Sequence, residues 1–381
     1  MKQRELIVDM GKAAFVVLAF KVVATTSWLI PWNALADNLC IVFALCVVLV
    51  KLCTLTLPLS KLLTLAAAAL FALYTCVSMG QYDLLITVIA ICLLINEDID
   101  DYIRLLFRIQ SVLVIGHIVI ALVLSLSGND SLFWSRSDSR LRFNGGFVHA
   151  NVLSSYILSC MLMFVWTRFR HITPNEWGAM AAVTVLSYAM TRTRTGLLMN
   201  ILLLLLVYLA QQDVRFLEKL IRPVLLLLFP ALAVLFYWAQ EQYLNHNSIA
   251  LLLDDLLTGR IKYAAYAFVR SGRTWLPRYL DYAETGIVAW TPEWNLNTFT
   301  FDNLYSFMFV QMGMVWIVIF SGIAAIVCFK SEFKVKVFML VWILYAMVEV
   351  HGLNCFKFFP LLLLSTLFSK KEAPDGADSH D

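Results

Sequence analysis

Charged residues are scarce in this chain, whereas a soluble globular domain carries about 25% of them. The sequence has 381 residues, of which only 14% are charged and 61% are hydrophobic. So few charges cannot cover a water-exposed surface on a protein of this length. The composition therefore predicts an integral membrane protein, and we expect no nucleic acid among its partners.

Metal-ligand and redox spacings of cysteine are also missing. All eight cysteines fall in or beside apolar runs, and no two form a C-x-x-C pair. Cysteines in such positions are typical of small buried hydrophobic residues. The sequence also has no P-loop and no H-E-x-x-H motif. We therefore expect no metal site and no cofactor.

Apolar runs fill most of the chain. A transmembrane helix needs about 20 such residues. The runs predict an all-α fold, a polytopic transmembrane helical bundle of about 12 spans, with a range of 10–12 because four runs are short. The last pair, hinged near Gly352–Asn354, alternatively predicts a re-entrant hairpin. The runs cover residues 11–30, 38–57, 62–79, 82–96, 109–127, 147–166, 177–191, 195–211, 222–240, 302–328, 336–351 and 353–368.

A single transmembrane domain is predicted over residues 1–372. It contains a long helical extracytoplasmic loop at 241–301, before the tenth span. Apolar residues recur at helical spacing in this loop and predict amphipathic helices on the membrane or over the bundle. Residues 373–381 are polar and acidic and predict a short disordered cytosolic tail.

Basic residues are divided unevenly between the two sides of the predicted bundle. With the N-terminus inside, every predicted cytoplasmic segment carries at least two Lys or Arg, as the positive-inside rule requires. Three outside segments break the rule, at 128–146, 191–194 and 241–301. A basic residue kept against this bias needs a function, and anion binding at the outer face is one. We predict cytoplasmic termini and an active site on the outer face.

Arginines in these three segments are candidate ligands of an anionic substrate. Arg192 and Arg194 lie between two spans with almost no loop, which places them at the membrane surface near a helix N-terminus. Helix N-termini attract anions, and the guanidinium fork matches phosphate oxygens. The alternative is snorkelling to lipid headgroups. The other candidates are Arg140, Arg142 and Arg260.

A glycine turn leads into the sixth predicted span. Gly145 and Gly146 permit close approach of the backbone to a ligand. His149 and Asn151 follow, and Asn151 stands where a helix N-cap is expected. We count His149 and Asn151 as candidate substrate ligands; the alternative is a structural turn, an Asn cap and a solvated histidine.

Carboxylates near this basic surface are candidates for a general base. Asp302 opens the tenth predicted span, and Glu284 lies in the long loop. A carboxylate beside a basic cavity can accept a proton from an attacking hydroxyl. The alternative for Asp302 is a helix cap. Asn303 and Tyr305, which follow Asp302, complete the candidate substrate-binding set.

Four short motifs, in this order, resemble the O-antigen ligase and polysaccharide polymerase family, the Wzy-type membrane glycosyltransferases. They are the glycine turn before His149–Asn151, the T-R-T-R-T-G at 191–196, the L-L-T-G-R at 256–260 and the D-N-x-Y…G at 302–313. The similarity covers roughly residues 110–330, on the topology expected of that family.

The resemblance implies a metal-independent inverting glycosyltransferase. Its donor is a growing glycan on undecaprenyl diphosphate, and its acceptor is a hydroxyl of another lipid-linked repeat unit or of a lipid A core. Arg192 or Arg194, together with Arg260, would bind the diphosphate. Asp302 stands where ligases usually have a histidine before Asn, and this difference favours a polymerase. Membrane lipids and a chain-length regulator are the other partners we expect.

The sequence therefore predicts an oligosaccharide repeat-unit polymerase in the bacterial cytoplasmic membrane, making exopolysaccharide, capsule or O-antigen. One alternative is an O-antigen-type ligase, which differs only in its acceptor. The other is a lipid-linked oligosaccharide flippase or transporter. A transporter is expected to have related halves and charged residues at mid-membrane. Here the halves differ, and Lys21 and Glu349 come nearest to such residues.

Overall fold

The computed structural model describes residues 2–127, 133–135, 141–212, 214–280 and 301–369. These residues are predominantly helical, with two short strands that pair antiparallel. The helices are α1 (Lys2–Ala24), α2 (Ala34–Thr54), α3 (Leu59–Met79), α4 (Asp83–Leu94), α5 (Ile99–Leu126), α6 (Ala150–Arg168), α7 (Pro174–Thr191), α8 (Arg194–Gln212), α9 (Val214–Leu244), α10 (Ser248–Leu256), α11 (Arg260–Ser271), α12 (Leu304–Phe307), α13 (Val315–Lys330) and α14 (Phe333–Tyr345); the strands are β1 (Phe133–Ser135) and β2 (Leu141–Phe143).

Each apolar run of the sequence forms helical structure, so the all-α fold class is confirmed. Within the described residues, six helices are long and apolar enough to cross a membrane, and they indicate a membrane protein. Two further apolar helices, α4 and α13, are shorter. The six are α2, α3, α5, α6, α8 and α9.

The tenth apolar run is not one continuous helix. After α12 the backbone makes a π-helical turn, Met308–Met312, and α13 begins only at Val315. Gly313 separates them at φ +98°, and a Cβ there would lie 2.7 Å from the carbonyl oxygen of Trp275. The peptide N–H of Thr274 donates to the Phe309 carbonyl oxygen at 2.9 Å. The break therefore exists because a distant backbone segment packs directly against this helix.

The C-terminal part of the described chain lies in the core. Nearly all of α14 is buried, and so is most of the 3₁₀ segment Phe359–Leu367, which packs on α4 and α14. Nine residues of 3₁₀ helix rise about 18 Å at about 2 Å each, whereas a hydrocarbon core is about 30 Å thick. A short 3₁₀ turn, His351–Leu353, connects the two at the predicted hinge.

One end of the bundle, here called the lysine end, is held by ion pairs. The Lys51 Nζ atom lies 2.6 Å from Glu97 Oε1, and the Lys336 Nζ atom lies 2.9 Å from Glu218 Oε1. Lys334 at the start of α14 extends this group, because its Nζ atom is 3.8 Å from Asp100 Oδ1. Since α14 begins at this end, its C-terminus lies at the other end of the bundle.

Candidate active site

Segments that are far apart in the sequence meet at the C-terminal end of α14. They are β2, the start of α6, the turn between α7 and α8, and the start of α11. We call this group the arginine end. The three predicted outside segments that carry excess arginine all contribute to it, through Arg142, through Thr191 and Thr193, and through Arg260.

Arg142 lies on β2 and is only 4% exposed. Its Nε atom donates to the Thr191 carbonyl oxygen at 2.7 Å. Its Nη2 atom donates to Asn151 Oδ1 at 2.7 Å and to Thr193 Oγ1 at 2.9 Å. Because a planar guanidinium holds its donors in a fixed fork, Arg142 ties the α7–α8 turn to the start of α6.

Asn151 is a bridge within the site, and its predicted role as the N-cap of α6 is wrong. The cap is His149, whose Nδ1 atom accepts a hydrogen bond from the Asn151 peptide N–H at 3.1 Å. Asn151 is therefore the second residue of α6, and its side-chain amide makes other contacts. Its Oδ1 atom accepts from Arg142, and its Nδ2 atom donates to Glu349 Oε1 at 3.4 Å.

Glu349 is the carboxylate at the centre of this network. It is 3% exposed, and it lies just after α14. Its Oε1 atom is 3.9 Å from Arg260 Nη2, and its Oε2 atom is 3.8 Å from His351 Nε2. A buried charge is tolerated only where opposite charges and hydrogen bonds compensate it. Glu349 thus joins Arg260 to Asn151 and, through Asn151, to Arg142.

Arg260 begins α11 and packs against the same segment. Gly259, at φ +87°, lets the chain turn into the helix just before it. The Nε atom of Arg260 donates to the Val348 carbonyl oxygen at 3.0 Å, and Nη1 donates to Thr258 Oγ1 at 2.6 Å. With 9% of its surface exposed, this guanidinium is held in one orientation beside Glu349.

Arg192 and Arg194 differ from the two buried arginines, because both are exposed. Arg192 ends α7 in the left-handed conformation at φ +53°, with its peptide N–H bonded to the Tyr188 carbonyl oxygen at 2.8 Å. Such a conformation is uncommon for a residue with a Cβ and persists where its surroundings enforce it. Its neighbours Thr191 and Thr193 are both bonded to Arg142, which fixes the turn.

A shallow cleft, too tight to hold a water molecule, lies between the start of α11 and the start of α12. Asp302 is half-buried in its wall, next to Arg260. Asn303 is the N-cap of α12, since its Oδ1 atom accepts from the Ser306 peptide N–H at 3.1 Å. The lining residues are Arg260, Tyr263, Ala264, Phe301, Asp302, Asn303 and Ser306. The structure therefore brings Asp302 and Asn303 together with Arg260.

Tyr305 does not line this cleft. Its ring is fully buried and stacks on Phe236 with ring centroids 5.5 Å apart. Its hydroxyl donates to the Ile343 carbonyl oxygen at 3.1 Å, which fixes α12 to α14. Two further candidates, Glu284 and Arg140, lie outside the residues that the structure describes.

The residues that sequence reasoning missed as site members are Glu349, Thr193 and His351. The signal for Glu349 was present as a lone carboxylate in an apolar run, a feature that indicates function in a membrane segment. In the sequence alone, Glu349 pointed only to the transporter alternative. Among the described residues, no group of three or more His, Cys, Asp or Glu is placed to hold a metal ion.

No family model, no curated protein and no solved structure matches this chain. The functional interpretation therefore depends on the geometry of the site. That geometry offers fixed and exposed guanidiniums, a half-buried carboxylate and a cleft, all at one end of a bundle of apolar helices. Such a set can bind an anionic leaving group and accept a proton next to it.

Proposed function

We propose that this protein is a membrane glycosyltransferase that polymerises undecaprenyl-diphosphate-linked oligosaccharide repeat units into a surface polysaccharide. One observation carries the proposal: arginines from the three predicted outside segments collect at one end of an apolar helical bundle, near Asp302 and a cleft. A lipid-linked donor reaches its enzyme from within the bilayer, so its diphosphate needs a cationic site at the membrane surface.

The proposal includes a topology. The chain crosses the bacterial cytoplasmic membrane about twelve times or slightly fewer, with both termini in the cytoplasm and the arginine end outside. The short 3₁₀ segment Phe359–Leu367 favours the re-entrant alternative for the last pair. Helices α10 and α11 then belong to the extracytoplasmic loop that covers the site.

The reaction is a single inverting displacement. The acceptor hydroxyl oxygen attacks the anomeric carbon of the donor sugar and forms the new glycosidic bond, while the bond from that carbon to the phosphate oxygen breaks. Undecaprenyl diphosphate leaves with the electron pair, and Asp302 takes the hydroxyl proton. Hydrogen-bond donors that already point towards the negative charge developing on the leaving diphosphate lower the activation barrier most. Arg192 and Arg194 supply them, and Arg142 fixes their turn.

The test compares two arginine pairs with the same spacing. Arg192→Ala with Arg194→Ala removes the exposed pair at the arginine end, and Arg168→Ala with Arg170→Ala removes an exposed pair at the other end of α6. Polymer formation is measured in proteoliposomes supplied with lipid-linked repeat units from the producing cell. We expect the first variant to lose at least about 100-fold in rate and the second to keep its rate. Equal rates in both variants and the wild type would exclude the proposal.

The transporter alternative is favoured by the break in the tenth helical run at Gly313, since discontinuous helices line the binding sites of many transporters. The same proteoliposomes distinguish the two. A flippase moves the lipid-linked sugar across the bilayer and forms no longer glycan. A ligase, the remaining alternative, transfers finished glycan to lipid A core and leaves repeat units unjoined.

A further inference from the structure

Exposed aromatic and aliphatic side chains lie together with arginines at the end of α11 and just after it. Residues 269–280 contain three arginines and no acidic residue. Their most exposed large side chains are Val269, Trp275, Leu276 and Tyr279, and the two aromatic residues are each 67% exposed. Tryptophan, tyrosine and arginine beside apolar residues are typical of protein surface at the boundary between lipid tails and headgroups.

The backbone of this segment is fixed to the broken tenth apolar run. The Arg278 peptide N–H donates to the Gln311 carbonyl oxygen at 3.0 Å. In the opposite direction, the Val315 peptide N–H donates to the Trp275 carbonyl oxygen at 3.2 Å. The segment is therefore held against the helical bundle, and its exposed side chains keep a defined level along the helices.

The length of α13 sets the depth of Trp275 in the bilayer. This helix begins at Val315, which is bonded to Trp275, and its 16 residues end two residues before α14, which starts at the lysine end. Sixteen residues of α-helix rise about 24 Å, whereas the hydrocarbon core is about 30 Å thick. Because the lysine end lies at one face of that core, Trp275 lies no higher than the opposite headgroup layer. Its exposed ring therefore meets lipid.

Two exposed arginines of this segment differ in their partners. The Cζ atom of Arg270 lies 5.8 Å from the centroid of the Tyr266 ring. The Cζ atom of Arg273 lies 4.1 Å from the centroid of the Tyr237 ring, and its guanidinium also forms an ion pair with Glu241. A ring contact leaves the positive charge in place, whereas a carboxylate neutralises it. Arg270 is therefore the better placed of the two to bind an anion.

Arg278 makes the end of α11 more suitable for an anion. The carbonyl groups at a helix C-terminus carry partial negative charge and repel anions. The Nη2 atom of Arg278 donates to the carbonyl oxygens of Ser271 at 2.6 Å and of Gly272 at 2.8 Å. These two bonds offset the negative end of the helix close to Arg270.

We propose that residues 269–280 bind the headgroup of an anionic phospholipid in the leaflet at the arginine end. Arg270 contacts the phosphate, and Trp275, Leu276 and Tyr279 contact the apolar part of the same lipid. The guanidinium fork matches phosphate oxygens, and each basic side chain near an anionic lipid surface strengthens the attraction. The bound lipid holds α11, and with it Arg260, at the membrane surface. This inference goes beyond the proposed function and does not depend on it.

The test uses two charge changes with opposite expected signs. Phosphatidylglycerol is titrated into the purified full-length protein in neutral detergent, and the Kd of the first bound lipid is measured by native mass spectrometry. Arg270→Gln removes the guanidinium, and we expect the Kd to rise about fivefold. Glu241→Gln removes the carboxylate that neutralises Arg273, and we expect the Kd to fall by a similar factor.

A tryptophan pair tests the apolar part of the contact. Trp275→Ala should raise the Kd about tenfold, because the lipid loses the apolar surface of the ring. Trp28→Ala is the matched control: Trp28 is 69% exposed, but it follows α1, and its peptide N–H is bonded to the Gly146 carbonyl oxygen. We expect the wild-type Kd from this control.

Two further probes identify the ligand. Diacylglycerol with the same acyl chains has no phosphate, so its binding should be unchanged by Arg270→Gln and weakened by Trp275→Ala. An excess of inorganic phosphate should not displace phosphatidylglycerol, because it lacks the apolar part. Wild-type Kd values for phosphatidylglycerol in both charge variants would overturn the proposal, and so would displacement by inorganic phosphate, which would indicate a site for free anions.

Discussion

The two polar ends of the helical bundle hold their charges in different ways. At the lysine end, Lys51 and Lys336 each have a carboxylate of their own within 3 Å, on Glu97 and Glu218. At the arginine end, the guanidinium of Arg142 bonds to neutral oxygens, and Glu349 is 3.9 Å from Arg260. The two buried lysines are thus each paired with a separate carboxylate, whereas Arg260 and, through Asn151, Arg142 share the single carboxylate of Glu349.

This difference indicates different roles. A paired buried cation is a structural contact, because its charge is already compensated. At the arginine end the exposed Arg192 and Arg194 add positive charge at the surface, and such charge attracts anions. Arginine also stays charged in low-dielectric surroundings and binds phosphate through two donors, whereas lysine acts as a point charge. The lysine end thus serves as the internal control for every substitution at the arginine end.

The largest expected effect comes from Asp302→Asn. As the proton acceptor, Asp302 contributes about 10²–10⁴-fold to the rate, and the amide cannot take a proton from the attacking hydroxyl. We expect polymer formation in proteoliposomes to fall by that factor while the protein stays folded, because asparagine has the same size and shape as the half-buried aspartate.

The matched variant at the lysine end is Asp100→Asn. Asp100 accepts from Trp166 Nε1 at 2.6 Å, and the amide oxygen can keep that bond. We expect the wild-type rate from this variant. A rate for Asp302→Asn within a factor of about three of the wild type would remove Asp302 from the mechanism, since even a weak general base contributes about 100-fold.

A smaller effect is expected from Glu349→Gln, which tests whether the shared carboxylate positions the arginines. Glutamine retains an oxygen for the Asn151 amide but has no charge beside Arg260. We expect kcat to fall about 10-fold, because Arg260 is held less firmly in one orientation. In metal sites, removing a residue that orients a ligand by a hydrogen bond costs about 10–100-fold. KM for the lipid-linked donor should stay or fall, because a carboxylate no longer competes with the diphosphate.

Glu97→Gln is the comparison for Glu349→Gln. It leaves the buried ammonium of Lys51 without its carboxylate, so we expect a loss of about 2 kcal/mol in stability, typical of a hydrogen bond to a charged group. The kinetics of the folded fraction should not change. If Glu349→Gln also altered only the melting temperature, Glu349 would have the same structural role as Glu97. The two ends of the bundle would then not differ in the role of their buried carboxylates.

Part of this arrangement could be predicted from the sequence, because local patterns determine it. The length of the apolar runs predicted the helices, and the side on which arginine accumulates predicted which segments meet. The break at Gly313 was not predicted, since it depends on backbone from residues 274–278, far away in the sequence. The hydrophobicity of residues 302–328 alone favours one continuous span.

The centre of the site was missed for a related reason. Glu349 stands alone in its apolar run, and its partners come from α6 and α11, so only the folded chain shows what it contacts. The cap of α6 was misplaced by two residues because an asparagine is the more common cap, yet the imidazole of His149 takes that role. Tyr305 follows the motif Asp-Asn, but helical geometry turns its side chain into the core.

The smallest expected effect concerns the helix that carries Arg260. Asp254 on α10 is buried, and its Oδ1 atom accepts from the Lys262 peptide N–H at 2.8 Å, in the first turn of α11. Burial raises the pKa of Asp254 above its ordinary value of 3.8. The folded state therefore holds the Asp254 proton more tightly than the unfolded state does. The resulting stabilisation is fully present below pH 3.8 and is lost as the pH rises through the raised pKa.

Asp254→Asn should therefore remove this pH dependence, because the amide keeps the oxygen and cannot ionise. We expect hydrogen exchange of the α11 amides at neutral pH to slow by a few-fold, because the burial cost of the ionised carboxylate outweighs the favourable interaction of an anion with the helix N-terminus, at most about 1 kcal/mol. Asp255→Asn, at the exposed neighbouring position, should leave the exchange profile unchanged. Faster exchange in Asp254→Asn at neutral pH would mean that the charge of Asp254 supports α11, and that the arginine end depends on a carboxylate outside the Glu349 network.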